Sequence, residues 1–287
     1  MSALPRHLPL LLLPLLAAPP GCRDDGGRGD DDDVTDGDAD SDSDADADAD
    51  GDADSDADGD ADADADADAD GDADEGVDPS NGRGGEIGAG EVGATPLGAE
   101  IRIPVGYDGV RAAPVVWLFN EPRTDWDAIA DANGIVLVDL LEYNDKQAIV
   151  DKLNEASGII ENEYNVDRAR YYWAGWSAGG NIVVIEGSYN QDFIAGTMVF
   201  PGTGGGIAQP QMEKRVGHKI RMFYACGTED PNYDWLVVQN EADTWREAYG
   251  YETTFQSVEG APHRIDEATY GIRAQAWEWI AGYNLQN

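Results

Sequence analysis

Beyond residue 110 the chain alternates between two patterns. Short, continuous apolar runs rich in β-branched and aromatic residues recur at Pro114–Phe119, Gly134–Leu140, Ala169–Ala174, Ile194–Phe200, Ile220–Cys226 and Thr253–Val258. A run that is apolar throughout suits a strand buried on both faces of a parallel sheet. Between these runs, residues 125–133, 146–163, 178–189, 236–249 and 268–283 place apolar side chains three and four apart, the spacing of a helix with one buried face. Alternating strands and helices predict an α/β class: a doubly wound, mostly parallel sheet with helices on both faces. In that architecture the functional loops gather at the carboxyl ends of the strands.

The first 80 residues follow a different pattern. Arg6 and His7 precede an apolar run from Leu8 to Ala18, too short to span a bilayer, and then Pro19-Pro20-Gly21-Cys22. This predicts a secretory signal over residues 1–21. The small residue before Cys22 resembles a bacterial lipobox, which implies a lipidated cysteine, a membrane anchor and a place on the cell envelope or outside it. Simple cleavage near Ala18 would put a proline directly after the cut and leave Cys22 without a role.

Residues 22–80 read as a linker, nearly alternating Asp and Ala from Asp30 to Asp74, too charged to bury anything and self-repelling. Asp46, Asp48, Asp50 and Gly51 have the alternate spacing that starts an EF-hand loop, but its twelfth position is Ala57. Any calcium there would be held diffusely. Residues 81–287 form the folded domain.

Charge sharpens this division. Residues 1–79 hold 28 of the 58 acidic and three of the 18 basic residues, so the remaining 208 carry a net charge of −15. Without a concentrated basic surface, nucleic acid is excluded as a partner. Once Cys22 is set aside only Cys226 remains, so an exported protein has no intramolecular disulfide to rely on.

The chemistry sits where a strand meets a helix. The run ending at Ala174 leads into Gly175-Trp176-Ser177-Ala178-Gly179-Gly180 and then a helical stretch, a G-x-S-x-G turn in a strand-turn-helix context. Such a turn presents Ser177 as a nucleophile, and a serine hydroxyl needs a base to take its proton. Of three histidines, His7 leaves with the signal and His218 precedes a strand, at the wrong edge of the sheet. His263, in a loop after the last strand, is the base. The orienting acid must follow a strand between serine and histidine, and Asp230 does so, with Glu229 and Asp234 as competitors in the same loop.

Tyr164-Asn165-Val166-Asp167-Arg168-Ala169-Arg170-Tyr171-Tyr172 with the Ser177 turn, and later Gly227-Thr228-Glu229-Asp230 and Glu259-Gly260-Ala261-Pro262-His263, resemble the α/β-hydrolase esterases grouped with polyhydroxybutyrate depolymerases and feruloyl or acetylxylan esterases. The resemblance covers roughly residues 98 to 284. It implies an α/β-hydrolase fold, a catalytic domain over residues 81–287, and ester hydrolysis through an acyl-serine formed by Ser177, His263 and Asp230, without metal or organic cofactor.

The chain departs from the group at one place: where the strand before the first helix ends in His-Gly, it has Phe119-Asn120-Glu121-Pro122. An oxyanion hole needs two N–H donors, one from Ala178. Pro122 has none, so the backbone of Glu121 is the expected second donor, with Asn120 as an alternative. The Glu121 carboxylate should then turn outward or pair with Arg123.

Fewer than twenty residues, beginning Pro201-Gly202-Thr203-Gly204-Gly205-Gly206, connect the strands on either side, which predicts no sizeable lid domain. Trp176, Asn120, Tyr233 and Trp235 are candidate pocket residues, fitting small, polymeric or aromatic esters. A non-catalytic surface binding protein and a serine peptidase of the same fold are the competing readings.

Overall fold

In the computed structural model, which describes residues 78–286 except Tyr143, eight strands form a single sheet: β1 Val92–Ala94, β2 Glu100–Arg102, β3 Ala113–Phe119, β4 Val136–Asp139, β5 Val166–Gly175, β6 Gly196–Val199, β7 Arg221–Gly227 and β8 Thr253–Val258. The predicted signal peptide, Cys22, the calcium-like stretch and nearly all of the acidic linker lie outside the described residues. The strand order is β1-β2-β4-β3-β5-β6-β7-β8. β4, β3, β5, β6, β7 and β8 run parallel, and β2 pairs antiparallel with both β1 and β4. With its crossover helices this is the α/β-hydrolase fold.

The helices are α1 Asp127–Asn133, α2 Lys146–Glu163, α3 Ala178–Tyr189, α4 Gly205–Lys214, α5 Trp235–Glu247, α6 Glu267–Tyr270 and α7 Ile272–Ile280, with a 3-10 turn at Arg123–Asp125. Strand pleating divides the apolar residues between two cores. Val115, Trp117 and Phe119 of β3 face a core closed by α2, α3, α4 and α5, while Val116 and Leu118 face one closed by α1 and α7. All seven residues of β3 are therefore buried, as the continuous apolar run required.

One local expectation needs correcting, and two elements carry no clear signal in the sequence. The helix predicted over 268–283 is broken at Gly271, whose φ of 60° ends α6 in a left-handed cap before α7 restarts. The Gly-rich connection after β6 contains a whole helix, α4, despite Pro210 in its interior. Its burial of Ala208 and Met212 outweighs the poor helix propensity of Gly205, Gly206 and Pro210. The hairpin β1–β2, three residues a strand, is too short to show an apolar period. Ahead of it, Asp78 to Ser80 already hydrogen-bond to residues 164–168 around the start of β5.

Asp139, at the carboxyl end of β4, is buried with Leu141 N–H on its Oδ1 at 3.0 Å. Burial pushes its carboxyl from the ordinary 3.8 to about 6. Below about pH 3.8 it is neutral whether the chain is folded or not. Between 3.8 and about 6 the unfolded chain ionises first, so the folded state bears a penalty that is complete above pH 6. Asp139→Asn keeps the acceptor for Leu141 and removes the charge. Denaturant unfolding at pH 7.5 is expected to show a gain of up to about 3 kcal/mol that vanishes near pH 3.5. An equal effect at both pH values would remove burial of the charge as its cause.

Candidate active site

β5 ends at Gly175 and α3 begins at Ala178, so Trp176 and Ser177 carry the whole turn. Ser177 has φ 57° and ψ −120°, a conformation costly for a residue with a Cβ. It is held there by its own backbone: its N–H donates to Pro201 O at 2.9 Å and its carbonyl accepts from Asn181 N at 3.1 Å. The turn is tight enough to exclude side chains. A Cβ on Gly175 would lie 2.5 Å from Gly179 O, and one on Gly179 would lie 1.7 Å from Phe119 O. The end of β3 therefore packs directly on the first turn of α3.

A serine at a helix N-cap ordinarily spends its hydroxyl on a helical N–H. Ser177 makes no such bond. Its Oγ lies 2.9 Å from His263 Nε2 instead, and His263 Nδ1 lies 2.9 and 3.1 Å from the two oxygens of Asp230. An ionised carboxylate only accepts, so Nδ1 carries the ring proton and the Nε2 lone pair faces the serine hydroxyl. The Asp230 carboxylate is fully buried and also accepts from Asn232 N at 2.8 Å and Tyr233 N at 3.1 Å. Its competitors are elsewhere: Glu229 is exposed, and Asp234 caps α5 through Leu236 N. His218 lies against Tyr283, away from this group.

Cys226 lies beneath, its Sγ 4.0 Å from Asp230 Oδ2. Burial, with the Asp230 charge next to it, pushes the thiol up to about 12. It stays protonated, and Ser177 has no competing thiolate nearby.

Ala178, the expected oxyanion donor, is the first residue of α3, so its N–H has no acceptor within the helix. The facing segment is tied to the turn: Phe119 O accepts from Trp176 N at 3.3 Å, and Asn120 Nδ2 donates to Trp176 O at 3.1 Å. Asn120 adopts φ 51°, which its short polar side chain tolerates. One expectation fails here. Glu121 neither turns outward nor pairs with Arg123; it is buried with Arg273 and accepts from Trp126 Nε1 at 3.1 Å. Arg123 pairs with Asp127 at 2.6 Å and Glu100 at 3.3 Å. Partners 152 residues apart cannot be read from spacing.

Of the candidate pocket residues, Tyr233 and Trp176 flank His263. Tyr233 stacks on the imidazole with centroids 5.7 Å apart and planes within 5°, and Trp176 lies 5.1 Å away and donates through Nε1 to His263 O at 3.0 Å. The Tyr233 hydroxyl donates to Asn181 Oδ1 at 3.0 Å, beside Ser177. Trp235 packs partly buried against the core at the start of α5. Asn181, unnoticed in the sequence, also accepts from Thr203 N at 2.8 Å. Its place four residues after Ser177, one turn along the same face of α3, was the available signal. Among the described residues, no group of three or more His, Cys, Asp or Glu side chains could hold a metal ion.

No protein-family model matches the chain, and no curated protein does either. Solved structures do. An acetyl xylan esterase from Aspergillus awamori superposes with a TM-score of 0.50 at 13% identity, over 66% of this chain and 96% of that one. A ferulic acid esterase from Anaeromyces mucronatus, solved with ferulic acid, gives 0.51 at 16% identity over 67% of this chain and 88% of that one. At these identities the likeness establishes the fold.

Proposed function

We propose that this chain is a serine carboxylic-ester hydrolase working through an acyl-serine intermediate. The observation that carries the reading is the alignment of Ser177 Oγ, His263 and Asp230 at a strained turn whose serine is free of its usual capping bond. His263 Nε2 takes the hydroxyl proton as Oγ attacks the acyl carbon. The oxyanion is held by the Ala178 N–H and, in this reading, the Glu121 N–H. His263 then passes its proton to the departing alcohol as the ester C–O bond breaks. Water, deprotonated by the same nitrogen, attacks the acyl carbon and releases the acid, restoring the Ser177 hydroxyl.

Tyr233 and Trp176 beside His263 support esters with an aromatic or polymer-linked group. The short β6–β7 connection, holding only α4, supports an open cleft. The proposal includes export through residues 1–21 and anchoring at Cys22, which would set extracellular esters in front of the site.

The test is the full chain with p-nitrophenyl esters from acetate to octanoate, methyl ferulate and an acetylated sugar, alongside a fluorophosphonate probe. Stoichiometric labelling with turnover of at least one ester is expected. Folded protein that neither labels nor turns over would point to a binding protein on this fold, and amide cleavage exceeding ester cleavage would point to a peptidase.

A further inference from the structure

Arg273, in the first turn of α7, is fully buried, and its guanidinium lies among the carboxylates of Glu121, Asp125 and Glu267. Its guanidinium meets three of the segments that surround Ser177. Nε is paired with Glu121 Oε1, in the segment that faces Ala178. Nη1 donates to Ile265 O at 2.6 Å, two residues beyond His263. Cζ lies 5.2 Å from the ring centroid of Phe200, whose neighbour Pro201 accepts from Ser177 N. Asp125 lies 3.6 Å from Nη2, and Glu267 lies 3.9 Å from Nη1. Arg273 itself touches none of the three reacting side chains.

Such a pair is a weak source of stability. Removing two charges from water costs about as much as their attraction returns, and apolar replacements of similar volume are often neutral. Here the pair is also incompletely satisfied, since Glu121 Oε2 and Arg273 Nη2 have no hydrogen-bond partner among the described residues. What a rigid, planar guanidinium does supply is fixed geometry between its partners. Lysine, a point charge on a flexible stem, cannot bridge the same two acceptors at fixed separation.

We infer that Arg273 is a positioning residue, which with Glu121 locks the oxyanion-forming segment and the His263 loop into one register around Ser177. This rests on the esterase reading for its kinetic consequence, but the geometry it controls can be observed without turnover.

The experiment compares the full chain with Glu121→Leu/Arg273→Met and with Arg273→Lys, measuring p-nitrophenyl acetate kinetics, fluorophosphonate labelling, thermal unfolding and the low-field proton resonance of His263 Nδ1–H. The double variant is expected to unfold within a few degrees of wild type, with kcat and labelling rate down about 10- to 100-fold and KM within about twofold. Arg273→Lys should stay at least about tenfold below wild type in kcat. In the double variant the imidazole resonance should shift or broaden. A folded double variant with wild-type kcat and an unmoved resonance would overturn the proposal. If wild type neither labels nor turns over any ester, the esterase reading fails alone, and the resonance still decides the role of Arg273. If the double variant does not fold, Arg273→Lys with unchanged kcat and resonance overturns it.

Discussion

Ser177→Ala is expected to lower ester turnover by about four to six orders of magnitude while the chain folds as before. The substitution removes the one atom that can form the acyl intermediate. What it leaves is the oxyanion site and substrate binding, which retain residual catalysis over the uncatalysed reaction. The fold should tolerate the change, since the hydroxyl makes no capping bond and the strain at φ 57° belongs to the backbone, held by Pro201 O and Asn181 N. Alanine at that φ is no more favourable than serine, so unfolding should move by less than about 1 kcal/mol. KM should change little, because the hydroxyl contributes to the transition state rather than to ground-state binding. Turnover of the variant at even a tenth of the wild-type rate would mean that the measured hydrolysis occurs elsewhere on the molecule.

Asp230→Asn should cost about 10⁴-fold in kcat with the geometry nearly intact. The carboxylate accepts from Asn232 N, Tyr233 N and His263 Nδ1 at once. An amide can keep its oxygen on the two backbone N–H groups, which leaves its NH₂ facing the imidazole. Nδ1 must then become the acceptor, the ring proton moves to Nε2, and Nε2 can no longer take the proton of Ser177. Asp234→Ala is the contrast within the same loop. It removes the cap on Leu236 N, costing about 1 kcal/mol of stability, and should leave kcat within twofold. If the two variants exchanged these phenotypes, Asp234 would be the orienting acid and the 2.9 Å contact with Asp230 incidental.

Much of this was legible in the chain because it is local. The parallel strands show themselves as continuous apolar runs, since burial on both faces leaves no polar period to preserve. α2 and α3 match their predicted bounds, because an apolar stripe is a property of neighbouring residues. Ser177 was legible for the same reason: a sharp strand-to-helix turn requires glycines at fixed offsets from the serine. Elimination pointed to His263 only because the chain has so few histidines, and fold order narrowed the expected acid to Asp230, Glu229 and Asp234. α4 was missed because Gly and Pro are poor helix formers, and the tertiary burial of Ala208 and Met212 overrides them.

The amino-acid order alone thus determined the class of fold, the turn that exposes Ser177 and the rank of candidates for its base and acid, because each rests on spacing along the chain. Folding in three dimensions added what depends on distant segments meeting. It placed Asp230 against His263, Glu229 in solvent and Asp234 on a helix cap. It gave Glu121 a guanidinium 152 residues away in place of nearby Arg123. It brought Tyr233 and Trp176, from different loops, against one imidazole. Side-chain direction and long-range pairing are set by how strands and helices pack, and no periodicity in the chain encodes them.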